Sequence, residues 1–269
     1  EKIAIVSNKP QTTRNRICAV LNRGDSQFVF IDTPGLHKAR TKLGDYMVGV
    51  VKQSVADVDA VLLLVEPIPH IGGPEAELIR RIKELNVPAV LVINKIDTVE
   101  KEELLSVMQV YGAAHDFAAI VPISAKRNEG VDELLGLLAQ FLPEGPQLFP
   151  EDMVTDQPER QVCAEIIREK LLLCLDKEIP HGTAVEITTF SERDDGIIDL
   201  DATIYCEKAS HKGIIIGKGG AMLKKISTLA RTDIEAFMGT KVFLQTWVKV
   251  KENWRDNMNL IKNFGYRDE

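Results

Sequence analysis

The sequence predicts an α/β unit, a mostly parallel sheet with helices on both faces, followed by a smaller α+β unit. Three observations carry this. Strand-like and helix-like segments alternate through residues 1–142, the pattern of a parallel sheet covered on both sides. Residues 143–158 contain four prolines and no hydrophobic period, and read as a linker. Residues 159–269 then follow a different order of elements.

Ile17–Leu21 and Gln27–Ile31 are short apolar runs around Asn22-Arg23-Gly24-Asp25-Ser26, and should pair as an antiparallel hairpin. Val58–Val65, Val87–Ile93 and Ala118–Ile123 read as buried strands. Between and after them, Pro74–Leu85, Glu102–Tyr111 and Val131–Leu142 place apolar residues at helical spacing. In such a sheet, ligands sit outside the carboxyl ends of the strands. In the second unit Arg160–Lys177 reads as a long helix, Ala184–Phe190 and Ile197–Tyr205 as strands. Two short helices flank Gly217-Lys218-Gly219-Gly220, Lys241–Val250 is a strand, and Asn253–Phe264 is a closing helix.

Composition narrows the function classes. The 269 residues are 45% hydrophobic and 27% charged, enough for sizeable cores. A net charge of −7 argues against a generally basic nucleic-acid coat, but not against a local basic face. The longest apolar runs fall far short of the ~20 residues of a spanning helix. Four cysteines without a CxxC pair read as free thiols of a reducing cytosol, and five histidines without HxxxH spacing disfavour a metalloenzyme. The sequence opens at Glu1 rather than Met, so the natural chain is expected to start earlier.

Asn94-Lys95-Ile96-Asp97 follows the strand Val87–Ile93. A carboxylate there can accept both N–H groups of a guanine edge, with the Asn amide facing the purine and the Lys stem over the base. Adenine lacks that donor pair and would leave the site unpaired. Asp32-Thr33-Pro34-Gly35 ends the strand Gln27–Ile31: the Asp suits Mg²⁺, and the Gly lets a backbone N–H approach a terminal phosphate. Ser124-Ala125-Lys126, after Ala118–Ile123, can close over the base from the other side.

In that order and context the three motifs resemble the Ras-like G domain. The resemblance implies GTP or GDP with Mg²⁺ as ligands, contacted by Asp32, Thr33, Pro34, Gly35, Leu36, Asn94, Lys95, Asp97, Ser124, Ala125 and Lys126. It implies that Thr13, rather than Thr12, joins Asp32 at the metal. Leu36 stands where many G domains place a Gln to orient water, so slow intrinsic hydrolysis is expected and no catalytic residue is assigned. The sequence contains no GxxxxGK[ST] phosphate loop. Either that loop precedes Glu1, or the chain lacks it and binds nucleotide weakly.

Ile216-Gly217-Lys218-Gly219-Gly220 and the following Lys224 and Lys225 are similar to the GxxG loop and helix of a KH domain, whose glycines let RNA phosphates approach. Ile216, Leu223 and Ile226 are candidates to border a groove for splayed bases. From Glu207 to Lys251, nine lysines and arginines face three acids, a local +6. The element order resembles the type II KH arrangement.

A G domain (1–142), linker (143–158) and type II KH domain (159–269) together resemble the Era family of bacterial GTPases. Gln11-Thr12-Thr13-Arg14, Asp32 through His37, Ile167-Arg168-Glu169-Lys170 and Glu178-Ile179-Pro180-His181 add to the resemblance. It implies a monomeric, cytoplasmic GTPase switch that binds the 3′ region of 16S ribosomal RNA and assists small-subunit assembly, with peripheral membrane contact. The alternatives are an RNA-binding protein with an inactive G domain, and the double-G-domain GTPases. The latter carry two Asn-Lys-x-Asp motifs, and this sequence has one.

Overall fold

A computed structural model describes residues 3–7, 9, 12–35, 39–55 and 58–266. The first two strands, β1 (Ile17–Arg23) and β2 (Ser26–Asp32), form an antiparallel hairpin closed tightly at Gly24-Asp25. Gly24 adopts φ +58°, which a two-residue hairpin turn requires. The hairpin is a sheet of its own. The parallel sheet has three strands, β3 (Val61–Val65), β4 (Ala89–Ile93) and β5 (Ala119–Pro122), in that order.

Strand β4 is buried at every residue, as its unbroken apolar run requires. Leu91 and Ile93 pack with residues of α2 (Gly73–Leu85) and α3 (Lys101–Ala114). Val90 and Val92 pack on the other face with Phe28 of the hairpin and with Leu134 and Leu138 of α4 (Val131–Leu138). Packing alone joins the hairpin to the sheet among the described residues.

Helix α1 (Lys42–Ser54) was not anticipated from the sequence. Thr41 caps it through the Gly44 amide, and Leu43, Met47, Val50 and Val51 are its buried face. Residues 143–158 hold no helix or strand, yet they are fastened along the hairpin. The Val20 amide donates to the Val154 carbonyl, Thr155 Oγ1 donates to the Cys18 carbonyl, and Gln27 Oε1 accepts the Leu148 and Phe149 amides. A proline-rich run prevents regular structure without preventing side-chain tethering.

The second unit places α5 (Glu159–Cys174), α6 (Ala209–Ile216) and α7 (Ala221–Met238) over one core with β6 (Ala184–Glu192), β7 (Ile198–Cys206) and β8 (Val242–Val250). Strand β7 is central, antiparallel to β6 and parallel to β8. Two expectations need correction. Helix α7 is 18 residues long, since Ile226, Ala230 and Ile234 keep a buried stripe well past the glycines. The closing helix is a 3₁₀ turn at Trp254–Asp256 and then α8 (Met258–Asn263), which Asn257 caps.

Candidate nucleotide and RNA sites

The carboxyl ends of β4 and β5 bring the guanine motif together. Asn94 follows β4, and Lys95 takes a left-handed turn at φ +65°. Asn94 Oδ1 accepts the Lys95 amide at 2.8 Å and the Ala125 amide at 3.0 Å. Both bonds engage the oxygen, and the amide nitrogen has no hydrogen-bond partner among the described residues. Ser124 Oγ donates to Asp97 Oδ1 at 2.7 Å, and Arg127 Nε lies 3.9 Å from Asp97 Oδ2. The Ser124 hydroxyl, with smaller contributions from Arg127 and Lys126, holds the Asp97 carboxyl below the usual range. It is therefore an anion and an acceptor at neutral pH. The Lys95 ammonium pairs with Glu66, and Lys126 is exposed beside Ala125.

The end of β2 holds Asp32, followed by Thr33, Pro34 and Gly35; Leu36 lies outside the described residues. Thr13 Oγ1 donates to Asp32 Oδ2 at 3.1 Å, whereas Thr12 Oγ1 donates to the Lys9 carbonyl. Burial raises the Asp32 carboxyl, against the opposing bonds from Thr13 and the Thr33 amide. Asp32 is nonetheless exposed, and its carboxylate beside the Thr13 hydroxyl oxygen is a donor pair that suits a hard cation. Among the described residues no three His, Cys, Asp or Glu side chains converge as a cage.

In the second unit Gly217 to Gly220 link α6 to α7. Gly217 sits at φ +73° and ψ 174°, a region open in practice to glycine alone, and an added Cβ would stand 2.8 Å from Met222 Cβ. Gly219 and Gly220 also have positive φ, so the loop presents bare backbone at the start of α7. Lys218, Lys224 and Lys225 are exposed around it. Ile216 and Leu223 are partly buried at the edge of the core. Ile226 is fully buried and belongs to the core, not to a groove.

The contacts missed by the sequence reading lie where the two units meet. Arg14 is buried, with Nη1 donating to the Thr183 carbonyl at 2.7 Å and to Tyr266 Oη at 3.1 Å, and Nη2 to the His181 carbonyl at 2.8 Å. Its guanidinium lies 5.8 Å from the Trp254 ring centre and 5.7 Å from that of Tyr266. Arg168 of α5 is fully buried and donates to the Thr12 carbonyl. From α1, Leu43 and Met47 enter an aromatic cluster with Trp254, Phe264 and Tyr266, and Asp256 accepts the Lys42 amide. Nothing local to these residues announces the contacts, which span 150 residues or more.

Comparison with known proteins agrees with both halves. The family described as 50S ribosome-binding GTPase matches residues 1–95, and the KH domain family matches residues 178–255. GTPase Era of Ruminiclostridium cellulolyticum is 52% identical over 267 residues, 99% of this chain and 90% of the relative. GTPase Era of Alkaliphilus metalliredigens is 51% identical with the same coverage. Among solved structures, Era in complex with MgGDPNP and nucleotides 1506–1542 of 16S ribosomal RNA superposes with a TM-score of 0.95. It is 36% identical, and the match covers 99% of this chain and 91% of that one. A variant of Aquifex aeolicus Era bound to GDP and aluminium fluoride gives 0.94 at 36% identity. The chain belongs to the Era family of GTPases.

Proposed function

We propose that this protein is a GTP-binding and GTP-hydrolysing switch that binds 16S ribosomal RNA near its 3′ end and assists assembly of the small ribosomal subunit. The observation that carries the nucleotide half is the bonded set Asn94, Asp97, Ser124 and Ala125 at two neighbouring strand ends. Asp97 accepts from the guanine edge while Ser124 holds it in place. Asn94, locked through its oxygen, offers its amide nitrogen to the purine. The stem of Lys95 covers the base, and Ser124, Ala125 and Lys126 close the rim. Asp32 and Thr13 hold Mg²⁺, which shields phosphate charge when bound. Thr33, Pro34 and Gly35 lead the chain toward the terminal phosphate.

The RNA half rests on the Gly217–Gly220 loop and on exposed Lys218, Lys224 and Lys225, with Ile216 beside them. An Era structure that superposes on this chain contains 16S ribosomal RNA. Residues 1–142 form the nucleotide domain, 143–158 the linker and 159–269 the RNA domain of this reading. It takes the protein as a monomer of the cytoplasm, touching the membrane only peripherally, on the family resemblance. No helix among the described residues is long and apolar enough to cross a membrane.

Titration with a fluorescent GDP and Mg²⁺, with GTP and ATP as competitors, tests the nucleotide half. Binding displaced by GTP and untouched by ATP is expected. Absence of binding, or equal displacement by ATP, would overturn it.

A further inference from the structure

Four consecutive residues divide their attachments unevenly. The Thr12 carbonyl is held by Arg168. Arg14 is held by His181, Thr183 and Tyr266. Asn15 Nδ2 donates to the Gly265 carbonyl at 3.2 Å, and its Oδ1 accepts from Tyr46 of α1 at 3.1 Å. Thr13 alone turns to Asp32. The residues on either side of it are thus fastened to the C-terminal unit, and Thr13 faces the metal-binding end of the nucleotide site.

We propose that Arg14 is a positioning residue for GTP hydrolysis: its seat in the C-terminal unit sets where the Thr13 hydroxyl stands. The proposal rests on the reading of Thr13 and Asp32 as the Mg²⁺ pair. Consecutive Cα atoms are a fixed ~3.8 Å apart, so a displaced Arg14 anchor displaces its neighbour within one residue. Among the described residues Arg14 donates to two carbonyls and a phenol and to no carboxylate, so an ordinary salt bridge does not account for its burial. Three fixed acceptors and two aromatic faces define one guanidinium orientation. The C-terminal unit thereby supplies part of the frame of the nucleotide site.

The test compares wild type, Arg14→Gln and Tyr266→Phe in the whole protein. Hydrolysis rate, Mg²⁺ requirement, GDP affinity and melting temperature are measured in parallel. Arg14→Gln should lower kcat by roughly 10- to 100-fold, the scale of a small misplacement of a reacting group, and raise the Mg²⁺ needed for half-maximal rate. GDP affinity should hold within about threefold, because the base site is separate and an uncoupled site adds no more than that. Tyr266→Phe keeps the ring and removes one bond, and should lower kcat by about fivefold. A merely structural role would lower the melting temperature and weaken GDP and GTP alike, and that pattern would overturn the proposal. If Arg14→Gln does not fold, an unchanged kcat and Mg²⁺ requirement in Tyr266→Phe overturns it. A wild type that binds no guanine nucleotide removes the underlying reading; a working wild type with unaltered variants removes this proposal alone.

Discussion

Ser124 Oγ donates to Asp97 Oδ1 at 2.7 Å across 27 residues of sequence, tying the loop after β5 to the loop after β4. One bond thus fixes both the orientation and the charge of the carboxylate offered to the base. Ser124 is fully buried, so its hydroxyl has no water to replace that acceptor. Ser124→Ala should weaken GDP binding about tenfold, the loss of one hydrogen bond to a charged group. Asp97→Ala, which removes the acceptor for both guanine donors, should weaken it by at least about 100-fold, while ATP binding stays negligible. Competition titrations check both.

The glycine loop makes a second prediction. Gly217→Ala forces a Cβ to within 2.9 Å of the Met222 amide nitrogen at a backbone conformation closed to alanine. It should destabilise the loop by about 1–3 kcal/mol and reduce RNA affinity with little effect on GDP binding. RNA binding and thermal melts of the variant check this.

Lys224 and Lys225 are exposed and outside the core. Charge reversal of both should leave the melting temperature unchanged and weaken RNA binding strongly. If each contacts one phosphate, the salt slope of RNA binding should flatten by about 0.7 per lysine. Affinities measured over a range of salt concentrations check this.

Tyr205 supplies a pH prediction. Burial, then the hydrogen bond to Glu186, pushes its phenol up to about 12. The neutral form is favoured in the fold, so its contribution to stability is full below the unfolded value of 10.0 and disappears as pH rises through about 12. Ultraviolet titration should find a tyrosinate transition near 12 that Tyr205→Phe abolishes.

The ion pair of Lys170 with Glu169 supplies a stability prediction. Lys170 Nζ lies 2.8 Å from Glu169 Oε1, and also pairs with Asp233 of α7. Both α5 side chains are buried. Lys170→Met should destabilise by about 3–5 kcal/mol, since it removes the buried ammonium that both Glu169 and Asp233 face. Arg193→Met, at the exposed pair with Asp199, should not shift the melting temperature. Denaturant unfolding of the two variants separates the cases.

Much of the fold was legible because strand and helix periods are local. The run ending at Ile93 is apolar throughout, and the strand it forms is buried throughout. Asn94 to Asp97 could be located because the motif follows such a strand directly. Helix α1 was legible in principle, from the spacing of Leu43, Met47, Val50 and Val51, but it lies beyond a turn-rich stretch that draws the eye to loops. Arg14 was not legible as an anchor. Its partners lie 167 to 252 residues away, and a lone arginine among threonines and asparagines reads as a solvated loop. The tethering of residues 143–158 was hidden for the same reason: proline content reports backbone regularity, not the side chains waiting on the hairpin.

The measurement that bears most directly on the switch is the affinity of the wild-type protein for a 16S ribosomal RNA 3′-end fragment, with GDP and with a non-hydrolysable GTP analogue. Coupling through the segment around Thr13 and Arg14 predicts that the two affinities differ by about 5- to 150-fold, a difference that Asp97→Ala removes. Equal affinities in the two nucleotide states would contradict the switch.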